Sequence, residues 1–280
     1  MPHTWVDGAA ADVVPADDRG LNYADGAFET LYCDAGMLAC PDLHEARLAS
    51  ALERLGFHDP QTLARQSFDE MKQLLTEVAH TGVVRCTITR GSGPRGYAPS
   101  AMTIPRRIIA VQDFPVSDDR PLHCGVAQVR WADQLQLAGL KLLARTEQVL
   151  AAGEARRQGW DDALMQDHRG HVISSSRANL LIFQNGHFLT PNLDTCGIAG
   201  TRRQLLIDHA LPRLGYGCAT QDLTLDDVLN ADVVLLTNTL IGVAGVGSIA
   251  DQVFDPDVAA QLLTPVRAAL SECVSERSPS

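Results

Sequence analysis

The sequence predicts an α/β (α+β) protein of two domains, and three observations support this fold class. The chain has 280 residues, of which 45% are hydrophobic and 20% charged, enough apolar material for one large or two smaller cores. Helical and β-branched segments alternate along the chain. Asp113–Pro121 is dense in proline and charge, which is typical of a linker. We therefore expect domains at residues 1–115 and 116–280.

The N-terminal domain is predicted to contain two helices followed by two strands. Apolar residues recur at helical spacing over Leu43–Leu55, and Gly56 ends that helix. A second helix is expected over Thr62–Val78. The β-branched runs at residues 83–89 and 107–111 predict strands.

The C-terminal domain is predicted to mix short strands with longer helices. Asn185-Gly186 favours a tight hairpin turn, because both residues tolerate positive φ. Apolar or alternating runs predict strands at Val126–Trp131, Ala163–Met165, His171–Ile173, Leu180–Phe183, His187–Thr190 and Val233–Leu236. Helical spacing predicts helices at Leu142–Gln158, Arg202–Leu214 and Val258–Val274.

Composition excludes several classes of function. A net charge of −11 and a pI near 5.2 disfavour nucleic acid and anionic membranes as partners, because both require a broad basic surface. No apolar run is long enough to cross a bilayer and the first residues lack a signal pattern, so we expect a cytoplasmic location. The seven cysteines lack metal-ligand spacing, and we expect reduced thiols and no metal.

A glycine- and arginine-rich loop, Arg90–Tyr97 (RGSGPRGY), follows a predicted strand. Its backbone amides and guanidinium groups suit an anion. A solvated hairpin tip would have the same composition, so both interpretations remain open. Any anionic substrate must be bound by such a local arginine cluster, because the chain as a whole is acidic.

Lys141 lies among leucines, in Leu140-Lys141-Leu142-Leu143. Burial lowers the pKa of an amine and makes it a usable nucleophile or base near neutral pH. A lysine beside an apolar run also commonly extends its amine to solvent. The position alone therefore leaves both roles open.

Two turns are candidates for a phosphate site. Gly197–Thr201 precedes a predicted helix, and Thr237–Gly242 follows a predicted buried strand. Free N–H groups and a hydroxyl at such a turn favour a phosphate dianion. An ordinary helix cap has the same composition.

Taken in order, seven segments resemble the fold-type IV pyridoxal-phosphate (PLP) enzymes, and within them the aminodeoxychorismate lyases. The segment around Lys141 and the Arg90–Tyr97 loop resemble the lyase versions. The other resembling segments are residues 18–30, His44–Leu48, Asn179-Leu180, Gly197-Ile198 and Asn238–Leu240.

The resemblance implies a two-domain fold with the cofactor cleft between domains, PLP as cofactor, and a homodimer with residues near the active site crossing the interface. It implies that Lys141 forms the Schiff base and acts as base. The implied cofactor-binding residues are Arg47, Lys141, Ser174, Asn179, Ile198, Ala199 and Thr239. The implied substrate-binding residues are Arg90, Arg95 and Tyr97.

Ser174 departs from the family pattern. Five residues before the Asn-Leu element the family usually has a glutamate that pairs with the protonated pyridine nitrogen of PLP, and this sequence has Ser174 there. A hydroxyl cannot hold that nitrogen charged as a carboxylate does. We hypothesise that the pyridine is largely neutral, which disfavours transamination more than elimination.

The predicted function is that of a 4-amino-4-deoxychorismate lyase, which releases pyruvate and leaves 4-aminobenzoate for folate biosynthesis. A D-amino-acid or branched-chain aminotransferase of the same fold is the first alternative. A non-catalytic PLP-binding homologue is the second, and Ser174 is the feature that recommends it.

Overall fold

The computed structural model describes residues 4–115 and 119–278, and the chain divides into two compact units. Unit 1 comprises Met1–Val116, Leu140–Ala144 and Ser275–Ser280, and unit 2 comprises Ser117–Gly139 and Arg145–Val274. The division after Val116 lies one residue beyond the predicted domain end. Residues 116–118 of the predicted linker lie outside the described residues.

In the described part of unit 1, six strands form an antiparallel sheet in the order β2-β1-β6-β5-β3-β4. The central pair has Phe28 opposite Thr87 and Glu29 opposite Cys86. The strands are β1 Thr4–Val6, β2 Ala9–Ala10, β3 Gly26–Asp34, β4 Met37–Leu38, β5 Gly82–Thr89 and β6 Arg106–Gln112.

Helices α1 Arg19–Tyr23, α2 Pro41–Arg54 and α3 Pro60–Val78 complete unit 1 together with the end of the last helix. Both long helices begin with proline, whose fixed φ and missing N–H suit the first turn. They pack on each other, and α2 also packs on β3. Their apolar faces join strand residues in one buried core. Two polar residues of α2, His44 and Arg47, contact Glu29 of β3.

Unit 2 is built on a mixed sheet, whose main path in the described residues runs β12-β11-β10-β13-β14-β7-β8-β9, with β15 paired to β14. Its strands are β7 Leu122–Val126, β8 Asp162–Gln166, β9 Val172–Ser175, β10 Asn179–Gln184, β11 His187–Pro191, β12 Cys218–Gln221, β13 Val233–Asn238, β14 Gly242–Ile249 and β15 Gln252–Val253. Its helices are α4 Thr146–Gln158, α5 Thr201–Leu205, a π-helical turn Leu206–Ala210, α6 Leu211–Arg213, α7 Leu225–Leu229 and α8 Pro256–Glu276.

Two C-terminal predictions are corrected by the structure. The predicted strand Val126–Trp131 is wrong beyond Val126, where β7 ends. The amides of Ala127 and Trp131 donate to carbonyls of β8, at 2.8 and 2.9 Å, so both ends of this segment lie beside β8. The residues between them bend away from β8 and are not part of a strand. The helix predicted from Leu142 begins at Thr146 instead.

The segment Leu140–Ala144 packs in unit 1, whereas the prediction assigned Lys141 to the C-terminal domain. Backbone bonds explain the difference. Phe28 N donates to Lys141 O at 3.0 Å and Leu143 N donates to Gly26 O at 3.0 Å, so the segment lies along the start of β3.

Neither a membrane-spanning helix nor a metal cluster occurs in the part of the chain that the structure describes. No helix there is both long and apolar enough to cross a bilayer. No group of three or more His, Cys, Asp or Glu side chains there is arranged to hold a metal ion.

Candidate active site

Lys141 is fixed at its backbone and half-buried at its side chain. Its neighbours Leu140 and Leu142 are buried in the core of unit 1 and anchor the segment on both sides. The Lys141 amine lies 3.9 Å from the centroid of the Phe28 ring. An ammonium over an aromatic face is attracted by the ring quadrupole, so Phe28 holds the amine in one region.

Gly26 allows the Lys141 segment to approach β3 closely. A Cβ at residue 26 would lie 2.1 Å from the carbonyl oxygen of Ile88 and 2.9 Å from Cδ1 of Leu143. Neither distance is compatible with a real side chain. Any larger residue at position 26 must therefore displace β5 or the segment that carries Lys141.

Arg85 is a cation near Lys141 that the sequence-based reasoning missed. Its guanidinium carbon lies 3.7 Å from the same Phe28 ring centroid, and its Nε donates to Thr87 Oγ1 at 3.2 Å. The available signal was a single charged residue inside an otherwise apolar strand, Val83-Val84-Arg85-Cys86. An arginine at this place can bind a carboxylate of a molecule that reaches Lys141.

Arg47 is clamped by a buried carboxylate. Its Nε donates to Glu29 Oε1 at 2.7 Å, and its terminal NH2 group donates to Glu29 Oε2 at 2.5 Å. His44, one helical turn earlier in α2, places Nδ1 2.7 Å from the same Oε2. Glu29 and His44 are fully buried. Lys141 and Arg47 thus contact consecutive residues of β3, Phe28 and Glu29.

Glu29 remains ionised in this environment. Burial by itself raises the pKa of its carboxyl, but the charges and hydrogen bonds of Arg47 and His44 outweigh burial and lower the pKa to about 2. A carboxylate held in this state fixes the plane of the Arg47 guanidinium.

The Arg90–Tyr97 loop separates its predicted substrate residues. Arg90 is buried and its guanidinium bonds Asp25 and the carbonyls of Leu55 and Gly56, at 2.7 to 3.2 Å. The Arg90 guanidinium also stacks on Phe57 at 3.8 Å. These bonds give Arg90 a structural role that the sequence did not predict.

Arg95 and Tyr97 lie on the exposed side of the same loop. Tyr97 is 88% exposed and packs edge-on against Tyr23, with ring centroids 5.6 Å apart. Arg19 fastens the loop from within, donating to the carbonyls of Gly96 at 2.7 Å and Tyr97 at 2.6 Å. The loop therefore presents Arg95 and Tyr97 outward on a fixed backbone.

In unit 2, Ser174 lies on β9 with its hydroxyl against Trp131. Trp131 Nε1 donates to Ser174 Oγ at 3.1 Å, and both residues are buried. Trp131 belongs to an apolar cluster that includes Met165 and Ile173. Sequence reasoning had no signal for this contact, because 43 residues separate the two partners.

Asn179 organises the first predicted phosphate turn. Its Nδ2 donates to Ile198 O at 2.8 Å, and a Cβ at Gly200 would lie 2.0 Å from Asn179 Oδ1, so only glycine fits there. The amide of Ala199 donates to Gly139 O at 2.9 Å. This N–H, predicted to bind phosphate, therefore has a protein acceptor.

The predicted phosphate turn Gly197–Thr201 leads directly into α5. The first intrahelical bond runs from Gln204 N to Gly200 O at 2.9 Å. Residues 201–203 precede it, and their N–H groups form the first turn of the helix.

Thr239 lies in the turn between β13 and β14. Asn238 Oδ1 accepts the amides of Leu240 at 2.8 Å and Ile241 at 2.9 Å, which fixes the turn. Thr239 is half-buried, and among the described residues nothing is hydrogen-bonded to its side chain. Its hydroxyl is thus available to a ligand.

Comparison with known proteins shows what the chain is similar to. Residues 26–249 match the family described as amino-transferase class IV. The chain is 34% identical over 250 residues to an aminodeoxychorismate lyase of Vibrio harveyi, covering 88% of this chain and 91% of that relative. It is 25% identical over 268 residues to a D-alanine aminotransferase of Bacillus licheniformis, covering 93% and 92%.

Among solved structures, the chain is similar to the crystal structure of 4-amino-4-deoxychorismate lyase from Pseudomonas aeruginosa. The TM-score is 0.86 at 34% identity, with 95% of this chain and 98% of that chain covered. This likeness confirms the predicted α/β architecture of fold-type IV.

Proposed function

Because this chain belongs to the class IV aminotransferase family, whose members are PLP-dependent enzymes, we propose that it is a 4-amino-4-deoxychorismate lyase. The observation that carries the proposal is the place of Lys141, held by backbone bonds to β3 with its amine at the Phe28 ring. The 34% identity to relatives of that activity favours the lyase over the aminotransferases.

The residues present fit PLP. The buried Ser174 hydroxyl accepts from Trp131, and no acceptor for its own hydrogen occurs among the described residues, so a ligand acceptor suits it. In the proposal Lys141 carries the cofactor, and Arg47 binds its phosphate. The remaining proposed cofactor-binding residues are Ser174, Asn179, Ile198, Ala199 and Thr239.

PLP supplies an electron sink for the carbon that bears the substrate amine. Lys141 Nζ would act as the base that removes the proton from that carbon. Loss of this proton would let the C–O bond on the adjacent carbon break, so that enolpyruvate leaves and the ring becomes aromatic. The enolpyruvate then takes up one proton on its CH2 carbon and becomes pyruvate. Phe28 keeps the Lys141 amine where it can reach the proton.

The substrate carries two carboxylates, and arginines are the proposed ligands. Arg95, with Tyr97, and Arg90 remain predictions from the sequence. Arg85 joins them because its guanidinium shares the Phe28 ring with the Lys141 amine. The Arg85 guanidinium would bind a substrate carboxylate and orient the substrate ring over Lys141.

We also propose a cytoplasmic homodimer in which residues near the active site cross the interface. Exposed apolar side chains on unit 1, including Leu21, Met102 and Ile104, are consistent with such an interface.

The test is pyruvate release from 4-amino-4-deoxychorismate without any oxo acid, measured by a coupled assay. The sequence has two lysines, Lys141 and Lys72, and Lys72 is half-exposed on α3, 3.8 Å from Asp69. Lys141→Ala should abolish pyruvate release, and the matched control Lys72→Ala should retain it. Turnover of D-alanine with 2-oxoglutarate, and none of the lyase substrate, would instead identify an aminotransferase.

A further inference from the structure

The hydrogen bond between Trp131 and Ser174 has a fixed direction. An indole N–H can donate but cannot accept, so Ser174 Oγ must be the acceptor of this 3.1 Å bond. The Trp131 side chain is held in this position. The backbone amide of Trp131 donates to Gln166 O at 2.9 Å, and the indole ring packs among buried apolar side chains.

The hydroxyl hydrogen of Ser174 is therefore directed elsewhere. Within residues 4–115 and 119–278 no acceptor receives it, although Ser174 is only 4% exposed. A buried O–H without an acceptor is unfavourable. The next serine does not share this property, because Ser175 donates to Asp162 Oδ2 at 2.6 Å. The Ser174 hydroxyl is thus a buried hydrogen-bond donor, and none of the described residues supplies its acceptor.

We infer that Trp131 is a positioning residue that commits Ser174 to donate a hydrogen bond to the pyridine nitrogen of PLP, leaving that nitrogen unprotonated. The inference rests on the proposed function, which assigns Ser174 to that nitrogen. The Ser174 hydroxyl has one hydrogen and two lone pairs, and Trp131 occupies one lone pair. A neutral pyridine nitrogen gives the buried hydrogen an acceptor, whereas a pyridinium N–H bonded to the second lone pair would leave that hydrogen without one.

Charged groups of both signs lie near Trp131, so the inference rests on the hydrogen bond and not on the local charge. The Arg145 guanidinium lies 5.8 Å from the Trp131 ring centroid, and the Glu147 carboxylate accepts from the amide of Ala132 at 3.1 Å. The carboxylate of Asp162 accepts from the hydroxyl of Ser175, whose side chain points to the opposite face of β9 from that of Ser174.

The experiment is nitrogen NMR of the holoenzyme loaded with PLP labelled with ¹⁵N in the ring. The wild type should give the chemical shift of a neutral pyridine, and Ser174→Ala should leave the nitrogen neutral. Ser174→Glu should move the resonance to the pyridinium range, because a carboxylate stabilises the charged form. A pyridinium resonance in the wild type overturns the inference.

Trp131 is tested by a double-mutant cycle on the dissociation constant of PLP. Trp131→Phe should weaken PLP binding about fivefold, the effect of one neutral hydrogen bond, and should have no effect in a Ser174→Ala background. Trp160→Phe is the control for loss of an indole in the same unit. Equal effects of Trp131→Phe with and without Ser174 would show that the tryptophan acts only by packing, and would overturn its role.

These outcomes are separable from failure of the proposed function. If PLP forms no adduct with Lys141, the proposed function is wrong. If it forms that adduct and the ring nitrogen is protonated, only the inference about Trp131 and Ser174 is wrong.

Discussion

Replacement of Glu29 by glutamine should destabilise the protein strongly, because it leaves the Arg47 guanidinium without its buried counter-charge and removes the carboxylate that His44 contacts. Glu29 is fully buried and accepts two bonds from Arg47 and one contact from His44, at 2.5 to 2.7 Å. The fold holds the pKa of Glu29 at about 2 instead of 4.5. At about 1.4 kcal/mol per pKa unit, this difference corresponds to about 3 kcal/mol. Loss of one partner from a buried pair is typically of the same size.

The assay is urea unfolding of wild type and Glu29→Gln at a fixed PLP concentration, since bound cofactor adds to apparent stability. Glu77→Gln is the control, because Glu77 is an exposed residue of α3 that accepts from Gln73 at 3.3 Å. It should change the free energy of unfolding by less than about 0.5 kcal/mol. A decrease of less than about 1 kcal/mol in the free energy of unfolding of Glu29→Gln would refute the conclusion that Glu29 interacts strongly with Arg47 and His44.

The same pair predicts a pH dependence. The folded pKa of Glu29 lies below its unfolded value, so its stabilisation is complete above about pH 4.5 and is lost as the pH falls toward 2. The stabilities of wild type and Glu29→Gln should therefore converge over that window. Parallel curves across it would contradict the low pKa.

Three further predictions concern the surroundings of Lys141 and the adjoining loop. Gly26→Ala should reduce stability by about 1–3 kcal/mol through overpacking and reduce the fraction of protein that carries PLP on Lys141, as measured by unfolding and by absorbance. Arg85→Gln should raise KM for the lyase substrate about tenfold with a smaller change in kcat; an unchanged KM would remove Arg85 from the substrate site. Arg90→Gln should destabilise the protein by about 2–3 kcal/mol, because Asp25 loses its bidentate partner. Burial raises the pKa of Asp25, but Arg90 and Arg19 lower it by more, so the carboxylate depends on these partners. A change confined to KM would instead indicate direct substrate binding by Arg90.

The sequence predicted helices α2 and α3 and strands β5 and β6, because their apolar patterns match the way they are buried. In α2, Leu48, Ala51 and Leu52 form one buried face, and β5 is almost continuously apolar, so local pattern and tertiary environment agree. The strand β3 was not predicted. Glu29 and Thr30 interrupt its apolar pattern, and Glu29 is buried only because α2 brings Arg47 and His44 to it.

The identity of the candidate site residues could be predicted from the sequence, but their contacts in the fold could not. Resemblance pointed to Lys141, Arg47 and Ser174, but their partners come from distant parts of the chain. The contact of Lys141 with Phe28 depends on the pairing of residues 141–143 with β3, which replaced the expected start of a helix at Leu142. Long-range pairing of this kind leaves no local periodicity to read.

The most direct test of the proposed function is borohydride reduction of the PLP-loaded protein, followed by mass spectrometry of its peptides. The sequence contains two lysines, so the position of the reduced cofactor is unambiguous. We predict that the adduct lies on the peptide containing Lys141 and is absent from Lys141→Ala. An adduct on Lys72, or a protein that takes up no PLP, would contradict the assignment.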